Sequence, residues 1–173
     1  MAQHQILTRR RLLSWMAAVT PTSLWAQTEP TPAPAMAELR GVTPGGQPVV
    51  LETLRGRVVM VFFWSTECAV CRNKMPELRA NAAGWHGQDF TLLGVNMDSQ
   101  EAEFLRYERV VTPLLPPDQR FLSVWAGNDA YRDNLGPIDH LPTSVLVDKD
   151  GRPVERYSGR IPPQAWNRIA DLL

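Results

Sequence analysis

Cysteine is scarce in this chain: of 173 residues only Cys68 and Cys71 carry a thiol. Two thiols cannot supply the four ligands of a structural zinc site, and the three histidines, His4, His86 and His140, are scattered. A two-residue gap also fits a structural disulfide poorly, because constraint of the unfolded chain grows with the loop that is closed. An apolar run long enough to span a bilayer is missing as well; the stretch from Leu12 to Val19 is too short. Neither sign of charge dominates, with 18 Lys and Arg against 18 Asp and Glu. Residues 1–26 contain Arg9, Arg10 and Arg11 and no acid, so the remainder holds 15 basic and 18 acidic groups. That mildly acidic body has no basic stripe, which argues against nucleic acid as a partner.

What is present is concentrated between Val58 and Pro76. Val58 to Trp64 is an unbroken apolar run, rich in β-branched and aromatic side chains, that reads as a strand buried on both faces. Ser65-Thr66-Glu67 ends the run and offers polar side chains to cap a helix. Cys68 and Cys71 then fall at the helix's first turn, where unpaired N–H groups and the positive dipole end favour a thiolate. The second thiol lies one turn further in and within reach of the first. Two inert cysteines packed as small hydrophobes are the plainer reading. A dithiol switch is the one that the strand-to-helix setting favours.

Phe63 to Cys71 with Pro76 five residues on resembles the active-site segment of the thioredoxin superfamily. Leu141-Pro142-Thr143, followed by the apolar Ser144 to Val147 and the turn Asp148 to Gly151, resembles its cis-proline loop and hairpin. The branch it is similar to is the exported TlpA/ResA-like thiol–disulfide oxidoreductases, over roughly Leu39 to Leu173. The resemblance implies an α/β thioredoxin-like three-layer sandwich with an added N-terminal β-hairpin. It implies dithiol exchange in which Cys68 attacks and Cys71 resolves, with no cofactor beyond the Cys68–Cys71 disulfide. It assigns a cis peptide to Pro142, with Leu141, Pro142 and Thr143 facing the substrate, and places Trp64 and Glu67 as tuning neighbours of the thiols.

Taken in order, residues 1–26 read as an export signal, with a basic segment running into a short apolar one and Ala26 before the cut. Thr8-Arg9-Arg10-Arg11 resembles a twin-arginine signal, and the ordinary secretory route serves equally. Residues 27–36 are a Pro-rich spacer. The domain is expected over 37–173, opening with a hairpin around Gly45-Gly46. A helix is expected from Glu67 to about Ala83 with Pro76 inside it, either kinking one element or starting a second; the family has one. Phe90–Met97 should be a buried strand, and Asp98-Ser99 the cap of a helix from Gln100 to about Val110. With Pro113, Pro116 and Pro117 nearby, Leu114-Leu115 can form only a short edge strand, and Phe121–Ala126 reads as a helix. Residues 126–139 look like a loop rich in Gly, Asn and Asp, placed to shape a substrate groove. Ser144–Asp148 and Val154–Ser158 should pair as a hairpin. Pro162-Pro163 should start a last helix with Trp166, Ile169, Ala170 and Leu173 on its apolar face.

The chain departs from its relatives in ways that bear on function. Glu67 stands where many have tryptophan, and a carboxylate beside Cys68 opposes the thiolate. Thioredoxins proper carry a buried Asp where this chain has Phe62, and ResA-like relatives a Glu where it has Lys74. Proton handling at Cys71 is thereby left to Glu67 or to no assigned group; the plainer reading of Glu67 is a solvated cap residue. The expected function is a periplasmic reductase of protein disulfides, in cytochrome c maturation, acting as a monomer and recharged by a membrane reductant transporter. The rival is a Sco-like copper-binding chaperone using Cys68, Cys71 and His140, although that family separates its cysteines by three residues; otherwise no metal is expected. A peroxiredoxin fits less well, because its Pro-x-x-x-Thr-x-x-Cys pattern is missing.

Overall fold

A computed structural model describes residues 35–173. Residues 1–34, which include His4, the expected export signal and most of the expected spacer, lie outside the described residues. The described residues open with β1 (Leu39–Val42) and β2 (Pro48–Val50), an antiparallel hairpin. A 3-10 turn over Leu51–Leu54 leads to β3 (Val58–Trp64), and α1 (Ala69–Gly84) and β4 (Phe90–Asn96) follow. Next come α2 (Glu101–Val111), β5 (Leu122–Trp125) and β6 (Arg132–Asp133). The chain ends with β7 (Thr143–Val147), β8 (Pro153–Ser158) and α3 (Gln164–Leu172).

The central sheet has the order β5-β4-β3-β7-β8, with β3 parallel to β4 and antiparallel to β7. All seven residues of β3 are buried because the sheet is covered on both faces. Val58, Met60, Phe62 and Trp64 pack with Cys71, Met75 and Leu78 of α1, Phe104 of α2, and Ala165 and Ile169 of α3. Val59, Val61 and Phe63 pack on the other side with Leu39, Val49, Leu51 and Leu135 around the small sheet β2-β1-β6. The three layers are therefore helices, a five-stranded sheet and a three-stranded sheet. Period-two alternation across β3 sends each side chain to a different layer, which is why the run shows no polar face.

Several expectations need correcting. Leu114 belongs to a 3-10 turn over Thr112–Leu114, and Leu122–Trp125 is the parallel edge strand, not a helix. Pro113 and Pro117 fall in 3-10 turns and Pro116 just before one, where a missing N–H costs little. Phe121 instead fills space over the sheet. A Cβ on Gly94 of β4 would lie 2.6 Å from the Phe121 ring and 3.3 Å from the Trp64 indole nitrogen. Gly94 is thus the gap that lets both aromatics lie against the sheet.

Residues 126–139 are more than a loop, since Arg132–Asp133 adds a third strand to β1. Its Asn and Asp side chains accept backbone hydrogen bonds, two of them local and one from the start of the domain. Asn128 Oδ1 accepts from Ala130 N at 2.9 Å, Asp133 Oδ1 from Leu135 N at 2.8 Å, and Asn134 Oδ1 from Glu38 N at 2.8 Å. The Tyr131 phenol donates to Asp133 at 2.7 Å, and burial first, then that contact, pushes it well above its ordinary pKa.

Asp98 does not cap α2: the N-cap is Gln100, without a side-chain bond. On α3 the buried positions are Ala165 and Ile169, while Ala170 is exposed. Trp166 is half-buried, and its indole N–H donates to Glu77 at 2.8 Å. Glu77 also accepts from Lys74 at 2.6 Å, and that bond is the main cause holding its carboxylate below the ordinary value of 4.5. A depressed carboxylate contributes stability that is present above its unfolded pKa and is lost as pH falls through the folded one. Glu77→Gln is expected to cost less than about 1 kcal/mol at pH 7, because the carboxylate is exposed although the Lys74 side chain is largely covered. Thermal unfolding at pH 7 and pH 3 should show the gap between wild type and variant closing on the acid side; a gap unchanged at pH 3 would remove the ion pair from the account.

Candidate active site

The site sits where β3 runs out. Trp64 is the last residue of the strand and is fully buried, with Tyr107 edge-on at 4.8 Å between ring centroids. Its carbonyl accepts from Met97 N at 2.7 Å, so the first residue beyond β4 is still tied to β3. The chain then turns through Ser65, Thr66 and Glu67. Cys68 N donates to Ser65 Oγ at 3.1 Å and to its carbonyl at 3.3 Å. Ser65 thereby supplies the polar closure that its place in the sequence suggests, although the N-cap itself is Cys68.

Cys68 is half-buried and Cys71 is fully buried against Phe62, Trp64 and Met75. The two are joined by a disulfide, with Cα atoms 5.2 Å apart. Cys71 N points at Cys68 Sγ from 3.1 Å. That sulfur is therefore the side-chain cap of α1 and occupies the place where a helix N-terminus stabilises negative charge. Chemically, the outer sulfur is reachable and its charge is favoured, while the inner one is shielded. Pro76 lies inside a single helix.

Antiparallel pairing brings the second segment alongside. Thr143 of β7 is opposite Phe63, so Pro142 is set beside Trp64, at the end of β3 from which the thiols emerge. The Leu141–Pro142 peptide is cis. Gly159 N donates to Pro142 O at 2.7 Å, and Thr143 Oγ1 to His140 O at 2.7 Å, pinning the loop from both sides. Leu141 is half-buried, whereas Pro142 and Thr143 are buried. Glu67 is exposed, beside Ala69 and Val70, which are exposed too. His140 is exposed on its loop, over a hollow of about 150 Å³ lined by Asp139, Thr143 and Arg156. Among the described residues no three His, Cys, Asp or Glu side chains are grouped to hold a metal, so His140 is not gathered to the thiols.

Sequence reasoning overlooked two neighbours of the turn, Asn96 and Asp98, whereas Arg72 is a candidate to reach back to it. Thr66 N donates to Asp98 Oδ1 at 2.7 Å, Asn96 Nδ2 donates to Asp98 Oδ2 at 3.0 Å, and the Arg72 guanidinium donates to Thr66 O. A signal was available. Asn96-Met97-Asp98 ends a parallel strand adjoining the one that delivers the thiols, and sites in α/β sheets gather at the carboxyl ends of their strands.

A half-exposed cysteine capping a helix, a buried partner one turn on and a cis-proline loop beside them form the dithiol site that the resemblance to TlpA/ResA-like proteins implies. The model of the AhpC/TSA family matches residues 31–167, and the chain belongs to that family. The thiol–disulfide oxidoreductase ResA of Bacillus cereus is 26% identical over 115 residues, covering 66% of this chain and 62% of the relative, so the match spans a little under two thirds of that protein. ResA of Halalkalibacterium halodurans is 26% identical over 129 residues, covering 74% and 69%. A thioredoxin-family thiol:disulfide interchange protein from Chlorobium tepidum superposes with a TM-score of 0.63 at 23% identity, over 83% of this chain and 97% of that one. The likeness to that solved structure concerns the fold.

Proposed function

We propose that this protein is a thiol–disulfide oxidoreductase that reduces disulfides of proteins in the periplasm. The observation that carries the reading is the asymmetry of the dithiol: Cys68 half-exposed with a backbone N–H on its sulfur, Cys71 sealed behind it. The Cys68 thiolate attacks a substrate sulfur, forming a mixed disulfide and expelling the other substrate sulfur as thiolate. Cys71, as thiolate, then attacks Cys68 Sγ. The Cys68–Cys71 disulfide forms and the second substrate thiolate leaves, so two electrons pass from the dithiol to the substrate. Leu141, held in place by the buried Pro142 and Thr143, forms the wall along which an extended substrate segment lies, and Trp64 and Glu67 tune the pair. Recharging requires a two-electron thiol donor, which an exported protein would draw from a membrane transporter of reducing equivalents. The basic, then apolar, N-terminus supports export. Cytochrome c maturation is the process we assign, with the monomer as the working form.

Direction follows from the charges around Cys68. The helix end favours its thiolate, the carboxylate of Glu67 opposes it, and strong oxidants of this kind need an unusually stabilised thiolate. Equilibration with glutathione is expected to give a potential nearer thioredoxin's, roughly −270 mV, than the roughly −120 mV of DsbA. Glu67→Gln should lower the Cys68 pKa by a fraction of a unit, its side chain being exposed and screened, and make the protein more oxidising. A wild-type potential in the strong-oxidant range would refute the reductase assignment.

A further inference from the structure

We propose that Asp98 is a positioning residue for the dithiol: its carboxylate, fixed by Asn96, clamps the Thr66 peptide and so holds the turn that carries Cys68. The inference rests on the thiol-exchange reading above and adds a residue from another strand to it.

Asp98 is only 8% exposed and pairs with no Lys or Arg among the described residues. A carboxylate so placed is tolerable only if its oxygens are hydrogen-bonded. Each oxygen has one donor: Thr66 N at 2.7 Å and Asn96 Nδ2 at 3.0 Å. The rest of the residue is tied as well. Asp98 N donates to Asn96 Oδ1 at 3.0 Å, and Asp98 O accepts from the Trp125 indole at 2.8 Å. The carboxylate is therefore held rigidly by β4 and by the end of β5, and it reaches across to a peptide of the neighbouring turn. That turn is gripped at Thr66 by N–H and C=O alike, the latter through Arg72.

The clamp matters most when the dithiol is reduced. In the oxidised protein the disulfide itself keeps Cys68 Sγ near Cys71 N. Once it opens, the turn from Ser65 to Cys68 decides whether that sulfur still meets the N–H that stabilises its thiolate. Two effects of Asp98 have opposite signs. Holding the turn lowers the Cys68 pKa, whereas a negative charge acting through space would raise it. Glu67 and Arg72 also face this turn, and they stay unchanged in the variants below.

The chemistry offers a discriminating pair of variants. Asp98→Asn keeps the size but presents one NH2 group, which must set donor against donor at Thr66 N–H, at the Asn96 amide or, if that amide turns over, at the N–H of residue 98. The exchange Asn96→Asp with Asp98→Asn rebuilds every bond. The amide introduced at position 98 would accept from Thr66 N and donate to the carboxylate introduced at position 96, which still accepts from the backbone N–H of residue 98. In the full chain carrying Cys71→Ser, iodoacetamide alkylation reads Cys68 alone. We expect Asp98→Asn to slow alkylation at pH 7 about tenfold, with the Cys68 pKa up by about one unit. The exchange variant should restore the rate to within about twofold. A Cys68 pKa unchanged or lowered in Asp98→Asn, or no restoration by the exchange, would overturn the clamp. Should Asp98→Asn not fold, hydrogen exchange in the reduced wild type decides: the Thr66 amide is expected to be protected like those of β3, and exchange at the rate of an open loop would overturn it. Alkylation needs no disulfide substrate, so a normal alkylation profile in a wild type that reduces no protein disulfide would sink the functional reading and leave the clamp standing.

Discussion

Cys68→Ser is expected to abolish catalysed disulfide exchange, with turnover of a protein disulfide such as insulin's falling to the uncatalysed background. The serine hydroxyl is no substitute, because the attacking species is the thiolate that the helix end stabilises. Cys71 cannot take over, being fully buried behind Phe62 and Trp64. Cys71→Ser should behave differently. Its exposed Cys68 still attacks once, but nothing is left to displace the bound sulfur, so the protein stalls as a mixed disulfide. The stalled species also serves as bait, since mass spectrometry of the captured partner would identify the natural substrate. Sustained turnover by Cys71→Ser would require that substrates resolve themselves and would remove Cys71 from its role.

The second large effect concerns Trp64. Replacing it with Ala empties a fully buried site between Gly94, Phe121 and Tyr107. Truncations of buried Phe or Trp cost about 3–5 kcal/mol, a large fraction of the roughly 5–15 kcal/mol that domains possess. Denaturant unfolding of oxidised wild type and variant should show a loss of that size. Trp64 is also the last residue of β3, and its carbonyl ties β3 to Met97. The cavity thus opens directly under the turn that carries Cys68, and disulfide exchange should slow even under conditions where the variant remains folded. A loss below about 1 kcal/mol would mean that the indole is not the packing element described.

The thiols, the strand before them, the helix through Pro76 and the proline loop were all legible because each has a local signature. Val58 to Trp64 is uniformly apolar, the cysteine spacing matches a helical turn, and the Asp148 to Gly151 turn announces its hairpin. What stayed illegible was set at long range. Leu122–Trp125 reads as part of a helix on its own and becomes an edge strand because Leu93 to Asn96 lies open beside it. Arg132–Asp133 is two exposed residues with no pattern at all, and only the free edge of β1 makes them a strand. Asp98 looks like a helix cap in sequence, and its carboxylate goes instead to a peptide 32 positions earlier. A cap is a local option, and it lost to the part-buried Thr66 N–H of the neighbouring turn.

The assignment of Cys68 as attacker and Cys71 as resolver is tested most directly by mapping thiol reactivity in the reduced wild-type protein. Brief alkylation at mildly acidic pH, followed by peptide mass spectrometry, reports which sulfur is the accessible thiolate. Modification of Cys68 first, with Cys71 untouched until the protein is unfolded, is the expected result. Modification of Cys71 first, or of both thiols at equal rates, would contradict it.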